Sequence, residues 1–262
     1  MRLPRAVRRI GRRIIQAMPV LRRHILSSTD YRLFSGLEEA RAMAVGSHGW
    51  FAARTARRQQ RAYAKLLSDM HRGKARIDLK VAAEAVAATG MAGPRVLEVG
   101  CGGGHYSEVF AALLPSAIRY TGIDYSEAMI ALARAQYPSL DFQVADATCL
   151  PFGDGAFDIV FNGVSLMHIL DYPAAVREAA RVASHFCILH TVPVHDGRTT
   201  FLGKYAYGAP VVEVIFEKRE LVALCEQAGL RLEREWPGIP YDVYEVMGHH
   251  STTETYLFSK RA

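Results

Sequence analysis

Glu98, Gly100, Gly102 and Gly104 alternate as E-x-G-x-G-x-G at the end of a short apolar run. Val96, Leu97 and Val99, with Arg95 and Glu98 interleaved, read as a buried strand, and His105 to Leu114 reads as the helix after it. Glycines between strand and helix supply positive φ and let a ligand approach bare backbone amides. A pyrophosphate fingerprint would carry another glycine three positions beyond Gly102, where this chain has His105. A carboxylate at position 98 is badly placed beside a phosphate but suits a ligand carrying an ammonium group. A tight turn of purely structural purpose is the rival reading of the same glycines.

Asp124 closes a second strand, Tyr120 to Asp124, 24 residues after Gly100. At that separation an acid at the next strand's tip receives ribose hydroxyls, one on each carboxylate oxygen. A surface helix cap is the competing role, but Ser126 is the better cap for the helix from Glu127 to Ala135. Asp141 to Val144 is a third strand, and Asp146 just beyond it is placed to accept an exocyclic adenine amine. Phe157 to Phe161 is a fourth, opening onto Asn162.

These tips must be held by a layered α/β body. Helices are expected at Ile77 to Thr89, Pro173 to Val182 and Glu217 to Ala228, and further strands at Phe186 to Thr191, Leu230 to Trp236 and Thr253 to Phe258. The expectation is a doubly wound, mostly parallel seven-stranded sheet with an antiparallel edge, spanning residues 76–262. Residues 1–75 form a basic, mostly helical N-terminal extension, with helices over Leu37 to Val45 and Ala52 to Met70. Trp50, Phe51 and Tyr63 within it are expected to pack on the main domain or cap its pocket.

The net charge of +6 hides an asymmetry: residues 1–75 hold 17 Lys and Arg against 4 Asp and Glu, the remainder 15 against 22. Met1 to Ser28 alternates arginines with Leu3, Val7, Ile10, Ile14 and Ile15 at helical spacing, a pattern that lies on anionic membrane surfaces or contacts nucleic acid without sequence preference. A solvated tail and, on composition, a mitochondrial transit peptide are alternatives; the apolar core is too short for a secretory signal, and the likeness to a twin-arginine signal is loose. No apolar run approaches the ~20 residues of a membrane span. Cys101, Cys149, Cys187 and Cys225 are too scattered for a zinc site or disulfide frame, and the adjacent His249 and His250 are too little for a metal, so no metal centre is expected. Cytoplasmic placement, with the arm touching a membrane peripherally, follows from the thiols and the charge.

Taken together, VLEVGCGGGHYS, GIDYS and ADATCLPFGDGAFDIVFNGVSLMHI resemble, in order and spacing, the motifs of class I S-adenosylmethionine-dependent methyltransferases with a type 11 methyltransferase domain. EAARVA resembles that family's helix before strand five, although the usual K-P-G-G turn is replaced by Ser184-His185. The resemblance implies S-adenosylmethionine as cofactor. Glu98 would meet its amino group, Gly100, Gly102 and Gly104 its methionine and ribose, Asp124 and Tyr125 the ribose hydroxyls, Asp146 and Ala147 the adenine, and Asn162 the methionine end. A further likeness, carried by Phe34-Ser35-Gly36, Tyr207 to Glu213 and Glu254 to Phe258, is to methyltransferases associated with surface-polysaccharide synthesis.

The implied reaction moves a methyl group to a small-molecule or glycan acceptor, with a hydroxyl as the favoured nucleophile and no specific nucleic acid as partner. A hydroxyl must shed its proton, and histidine is the natural base near neutral pH. His168 and His195 are the candidates, with His168 open to a structural reading; His190 reads as a core histidine, and His105 as a residue that shapes the glycine turn. Pro193 to Phe216 reads as a long lid or binding loop, with Tyr205, Tyr207, Tyr241 and Tyr244 available to line an acceptor pocket. The alternative function is a non-catalytic cofactor binder that presents the basic arm to membrane or nucleic acid.

Overall fold

The computed structural model describes residues 31–45, 49–207 and 209–261; the basic arm of residues 1–28, with the membrane contact expected of it, lies outside them. At the centre is strand β2 (Arg95–Val99), parallel to both neighbours, β3 (Arg119–Asp124) and β5 (Phe157–Gly163). Strand β4 (Asp141–Val144) continues the parallel sheet beyond β3, and β6 (Ala183–His195) beyond β5. Strand β10 (Thr252–Lys260) runs antiparallel between β6 and β9 (Leu230–Pro237), giving the expected antiparallel edge.

The period of two divides the core between the faces of this sheet. Leu97, Val99, Cys187, Leu189, Tyr256 and Phe258 face helices α6 (Tyr172–Val182) and α7 (Lys218–Gln227). Val96, Phe161, Ile188 and Leu257 face α3 (Ile77–Ala87), α4 (His105–Leu113) and α5 (Glu127–Gln136). Local chemistry sets the helix starts. Ser126 Oγ accepts from Met129 N to cap α5, Asp171 Oδ1 accepts from Ala174 N to cap α6, and Pro173 occupies the first turn of α6.

All seven expected strands are present, in a sheet of ten. Two of the three additions correct the reading of Pro193 to Phe216 as a loop. Strand β6 runs to His195, and its last two residues pair with Phe216 and Glu217 of β8 (Ala209–Glu217). Strand β8 forms a hairpin with β7 (Thr200–Ala206), and the short β1 (Arg32–Leu33) pairs onto β7. The β-branched run Val211-Val212-Glu213-Val214-Ile215 is a buried-strand signal that the segment's Gly and Tyr content obscured.

The described part of the N-terminal segment packs into this body. Phe34 and Ala40 of α1 (Leu37–Val45) and its approach form a small core with Val212. Helix α2 (Ala53–His71) buries Leu67 and Met70 in the same core layer as α3 and α4. No helix among the described residues is long and apolar enough to cross a membrane.

Candidate active site

A cavity of about 570 Å³ opens over the carboxyl ends of β2, β3, β4 and β5, where an open α/β sheet holds its ligands. Its floor is the glycine turn. Gly100 N and Cys101 N both donate to Ile123 O at 2.8 Å, tying the turn to the end of β3. Gly102 N donates to Asp124 Oδ2 and Ser126 N to Asp124 Oδ1, each at 2.9 Å. Burial pushes the Asp124 carboxyl up to about 6 against the pull of those two amides. Each oxygen keeps a lone pair free for a ligand hydroxyl.

Gly100 has φ +74°, and a Cβ there would overlap the side chain of Ser165, so the turn closes on β5's exit only with glycine. Gly102 also lines the cavity, beneath Gln59. Gly104 does not: its φ of +79° and the Phe142 ring, 2.7 Å from where a Cβ would sit, make it the packing point for the start of α4.

Glu98 is fully buried, and its Oε2 accepts from Tyr120 Oη. Its Oε1 has no hydrogen-bond partner, and burial pushes the carboxyl up to about 8. Gly163 lines the cavity, and a Cβ on it would stand 2.9 Å from that orphaned oxygen. A buried acceptor without a donor is costly; Glu98 itself lies outside the cavity lining, and Gly163 beside it lies within that lining.

Tyr125, Asp146 and Ala147 line the cavity beyond Asp124. Asp146 Oδ1 accepts from Thr148 N and Oγ1, both at 2.8 Å, which fixes the turn after β4. Asn162 is corrected: it lies outside the cavity lining, and its Oδ1 accepts from Leu166 N at 2.8 Å. It thereby shapes the 3₁₀ turn Leu166–His168.

That turn delivers His168 to the cavity. Its Nδ1 donates to Val212 O at 2.7 Å, which assigns the remaining lone pair to Nε2. Burial holds the imidazole below its ordinary pKa, Glu213 works against that, and Lys204 adds to it. A neutral imidazole with one nitrogen anchored is a competent proton acceptor.

His195 is not brought to the cavity. Its Nε2 donates to Arg198 O at 2.8 Å and its Nδ1 accepts from Gly197 N, so both nitrogens serve their own turn. His190 is a core histidine, bonded to Thr255 Oγ1 and Thr191 Oγ1. His105 lines the cavity while stacked on Tyr63 at 3.7 Å, and burial pushes its pKa down to about 3.

Several lining residues escaped the sequence reading. Gln59, Lys204, Thr191 and Thr253 belong to no quoted motif, and Glu213 stands only at the end of the Tyr207 to Glu213 likeness. Trp50 and Tyr63, like Tyr207 and Tyr241, do reach the cavity, whereas Tyr205 and Tyr244 do not line it. Trp50 lies 5.0 Å from the His168 ring, and its carbonyl accepts from Ser126 Oγ. Among the described residues, the non-glycine positions with positive φ are Val164, Thr191 and Tyr207, and all three line this cavity. Such backbone costs of order 1–3 kcal/mol per residue and gathers at ligand sites.

Comparison with known proteins agrees with this geometry. A family model described as "Methyltransferase domain" matches residues 97–186. The O-methyltransferase cnsE of Penicillium expansum is 33% identical over 53% of this chain and 53% of its own length. The phthiotriol/phenolphthiotriol dimycocerosates methyltransferase of Mycobacterium tuberculosis is 44% identical over 35% of this chain and 33% of its own length. The chain thus spans about half the length, or less, of these relatives. Among solved structures, a SAM-dependent methyltransferase from Methanosarcina mazei superposes with a TM-score of 0.54 at 17% identity, covering 67% of this chain and 96% of that one. The [4+2]-cyclase SpnF superposes at 0.55 and 20% identity, covering 70% and 81%. Both likenesses concern the fold.

Proposed function

We propose that this chain is a class I S-adenosylmethionine-dependent methyltransferase that moves a methyl group from S-adenosylmethionine to a hydroxyl of a small-molecule or glycan acceptor. One observation supports the reading: the same cavity is lined by Gly100, Gly102, Asp124 and Asp146 and by His168, whose Nδ1 is anchored on Val212 O. The orphaned Oε1 of Glu98, the glycine backbone and the two-oxygen face of Asp124 fit a ligand with an ammonium group and vicinal hydroxyls. When bound, S-adenosylmethionine supplies a methyl group already activated on a cationic sulfur.

Asp124 is the group that would hold the ribose hydroxyls, Glu98 the ammonium, and Asp146 with Ala147 the adenine. Trp50, Gln59 and Tyr63 of the N-terminal segment line the cavity. His168 accepts at Nε2 the proton that the acceptor oxygen sheds. Holding nucleophile and donor in line supplies up to ~7–11 kcal/mol of barrier reduction, so positioning outweighs the base. The O-methyltransferase named among the relatives supports oxygen as the atom methylated, and the likeness of Tyr207 to Glu213 to polysaccharide-associated methyltransferases supports a glycan.

The test is calorimetry with S-adenosylhomocysteine followed by transfer of radiolabelled methyl into extract fractions. Binding, with label in glycans or small metabolites, is expected. No binding would end the reading, and label in protein or RNA would replace the acceptor class.

A further inference from the structure

We propose that Lys204 and Glu213 form the acceptor clamp of this cavity, built for an electrically neutral acceptor that carries vicinal hydroxyls; this rests on the methyltransferase reading above. The two residues sit on the β7–β8 hairpin, where Leu202 pairs with Glu213 and Lys204 with Val211, so their side chains are diagonal neighbours on one face. Both line the cavity, and Lys204 Nζ forms an ion pair with Glu213 Oε2. Glu213 is 1% exposed, and the Lys204 side chain is 15% exposed.

A buried ion pair seldom repays its desolvation as a stabilising device, and apolar residues of similar volume would serve packing as well or better. The same cavity is lined by the apolar Met167, Ile169, Ala206 and Ile239 and by the polar His168, Thr191 and Thr253. The pair is also flanked by two other segments. Lys204 Nζ stands 5.5 Å from the Tyr31 ring before β1 and 5.9 Å from the Tyr241 ring after β9, and those rings meet edge to face at 6.3 Å. The residue before Glu213 is Val212, whose carbonyl anchors His168. One strand therefore fixes the base and the carboxylate together.

The chemistry of the pair selects its ligand. Adjacent carboxylate and ammonium groups offer an acceptor beside spare donors, which matches neighbouring hydroxyls, one donating and one accepting. Because the charges cancel, a charged acceptor gains no net Coulomb attraction from the pair yet gives up its own hydration, so a neutral acceptor is favoured. Tyr207, Tyr241 and Trp50 give aromatic faces for the C–H side of a saturated ring.

Saturation-transfer NMR on the full chain with bound S-adenosylhomocysteine tests this. The probes are neutral methyl hexopyranosides, their uronic-acid and amino-sugar counterparts, and 4-methylphenol. At least one neutral glycoside is expected to bind. Its affinity should fall tenfold or more in Glu213→Gln, in Lys204→Met and in the uncharged double variant K204M/E213L, which leaves no orphaned charge to unfold the site. Affinity for S-adenosylhomocysteine should stay within twofold in all three. The clamp is overturned if a charged counterpart binds as well as its neutral parent, if only the phenol binds, if no glycoside binds, or if the variants keep wild-type glycoside affinity. Absence of S-adenosylhomocysteine binding to the wild-type protein would instead overturn the methyltransferase reading.

Discussion

His168 Nδ1 lies 2.7 Å from the carbonyl oxygen of Val212, 44 residues further along the chain. That hydrogen bond fixes the imidazole tautomer and couples the turn after β5 to the β7–β8 hairpin. His168→Gln should therefore lower kcat by about 10²–10⁴-fold, the usual worth of a general base, with cofactor affinity unchanged. The control, His195→Gln, should transfer methyl at the wild-type rate. Because burial holds the His168 pKa below its ordinary 6.5, the proton-accepting form persists at mildly acid pH. A pH–rate profile should fall only as pH drops through that lowered value.

Glu98 should make cofactor binding release a proton. Its buried carboxyl, pushed up to about 8, is mostly protonated at pH 7, and an arriving ammonium favours the carboxylate. Folded pKa above the ordinary value means that affinity rises as pH climbs towards 8. Calorimetry of S-adenosylhomocysteine binding at pH 7 in buffers of different ionisation enthalpy should show the release, and Glu98→Gln should remove it.

Asp124 should dominate affinity. Removing a charged acceptor of hydrogen bonds costs ~1.5–3 kcal/mol per bond, so Asp124→Ala should weaken S-adenosylhomocysteine binding by about 10–100-fold or more. Since burial raises this carboxyl to about 6, the carboxylate and its ribose contacts should be lost as pH falls through that value. The stability effect has the opposite sense: ionising a buried acid whose folded pKa is raised costs stability as pH rises through about 6. Binding titrations and urea melts between pH 5 and about 8 separate the two, since linkage moves them in opposite directions.

Gly100→Ala should destabilise the fold by about 1–3 kcal/mol from overpacking on Ser165, with an added cost for its positive φ. A urea melt read by circular dichroism checks this. An unchanged midpoint would show that Ser165 moves aside freely.

Much of this molecule is written in short-range pattern. Strand β2, the glycine turn and the acids at 98 and 124 stand within one strand–turn–helix–strand stretch, where periodicity and positive-φ chemistry act locally. The Gly and Tyr content of Pro193 to Phe216 masks the β-branched run at Val211 to Ile215 that makes it a strand pair. Asn162 and His195 bond within turns and lie outside the cavity lining, since a polar side chain near a strand tip can serve a turn as readily as a cavity. Only its hydrogen-bond partners distinguish the two roles.

By itself, then, the order of residues determined the parallel core and the placing of Glu98, the glycine turn and Asp124 at the carboxyl ends of neighbouring strands. Each depends on neighbours within a strand and its following turn. Only the tertiary structure decided that His168, Trp50, Lys204, Glu213 and Tyr241 share one cavity, because they come from distant segments that carry no shared spacing. Their meeting depends on the β7–β8 hairpin joining the end of β6, a long-range pairing that no local period encodes.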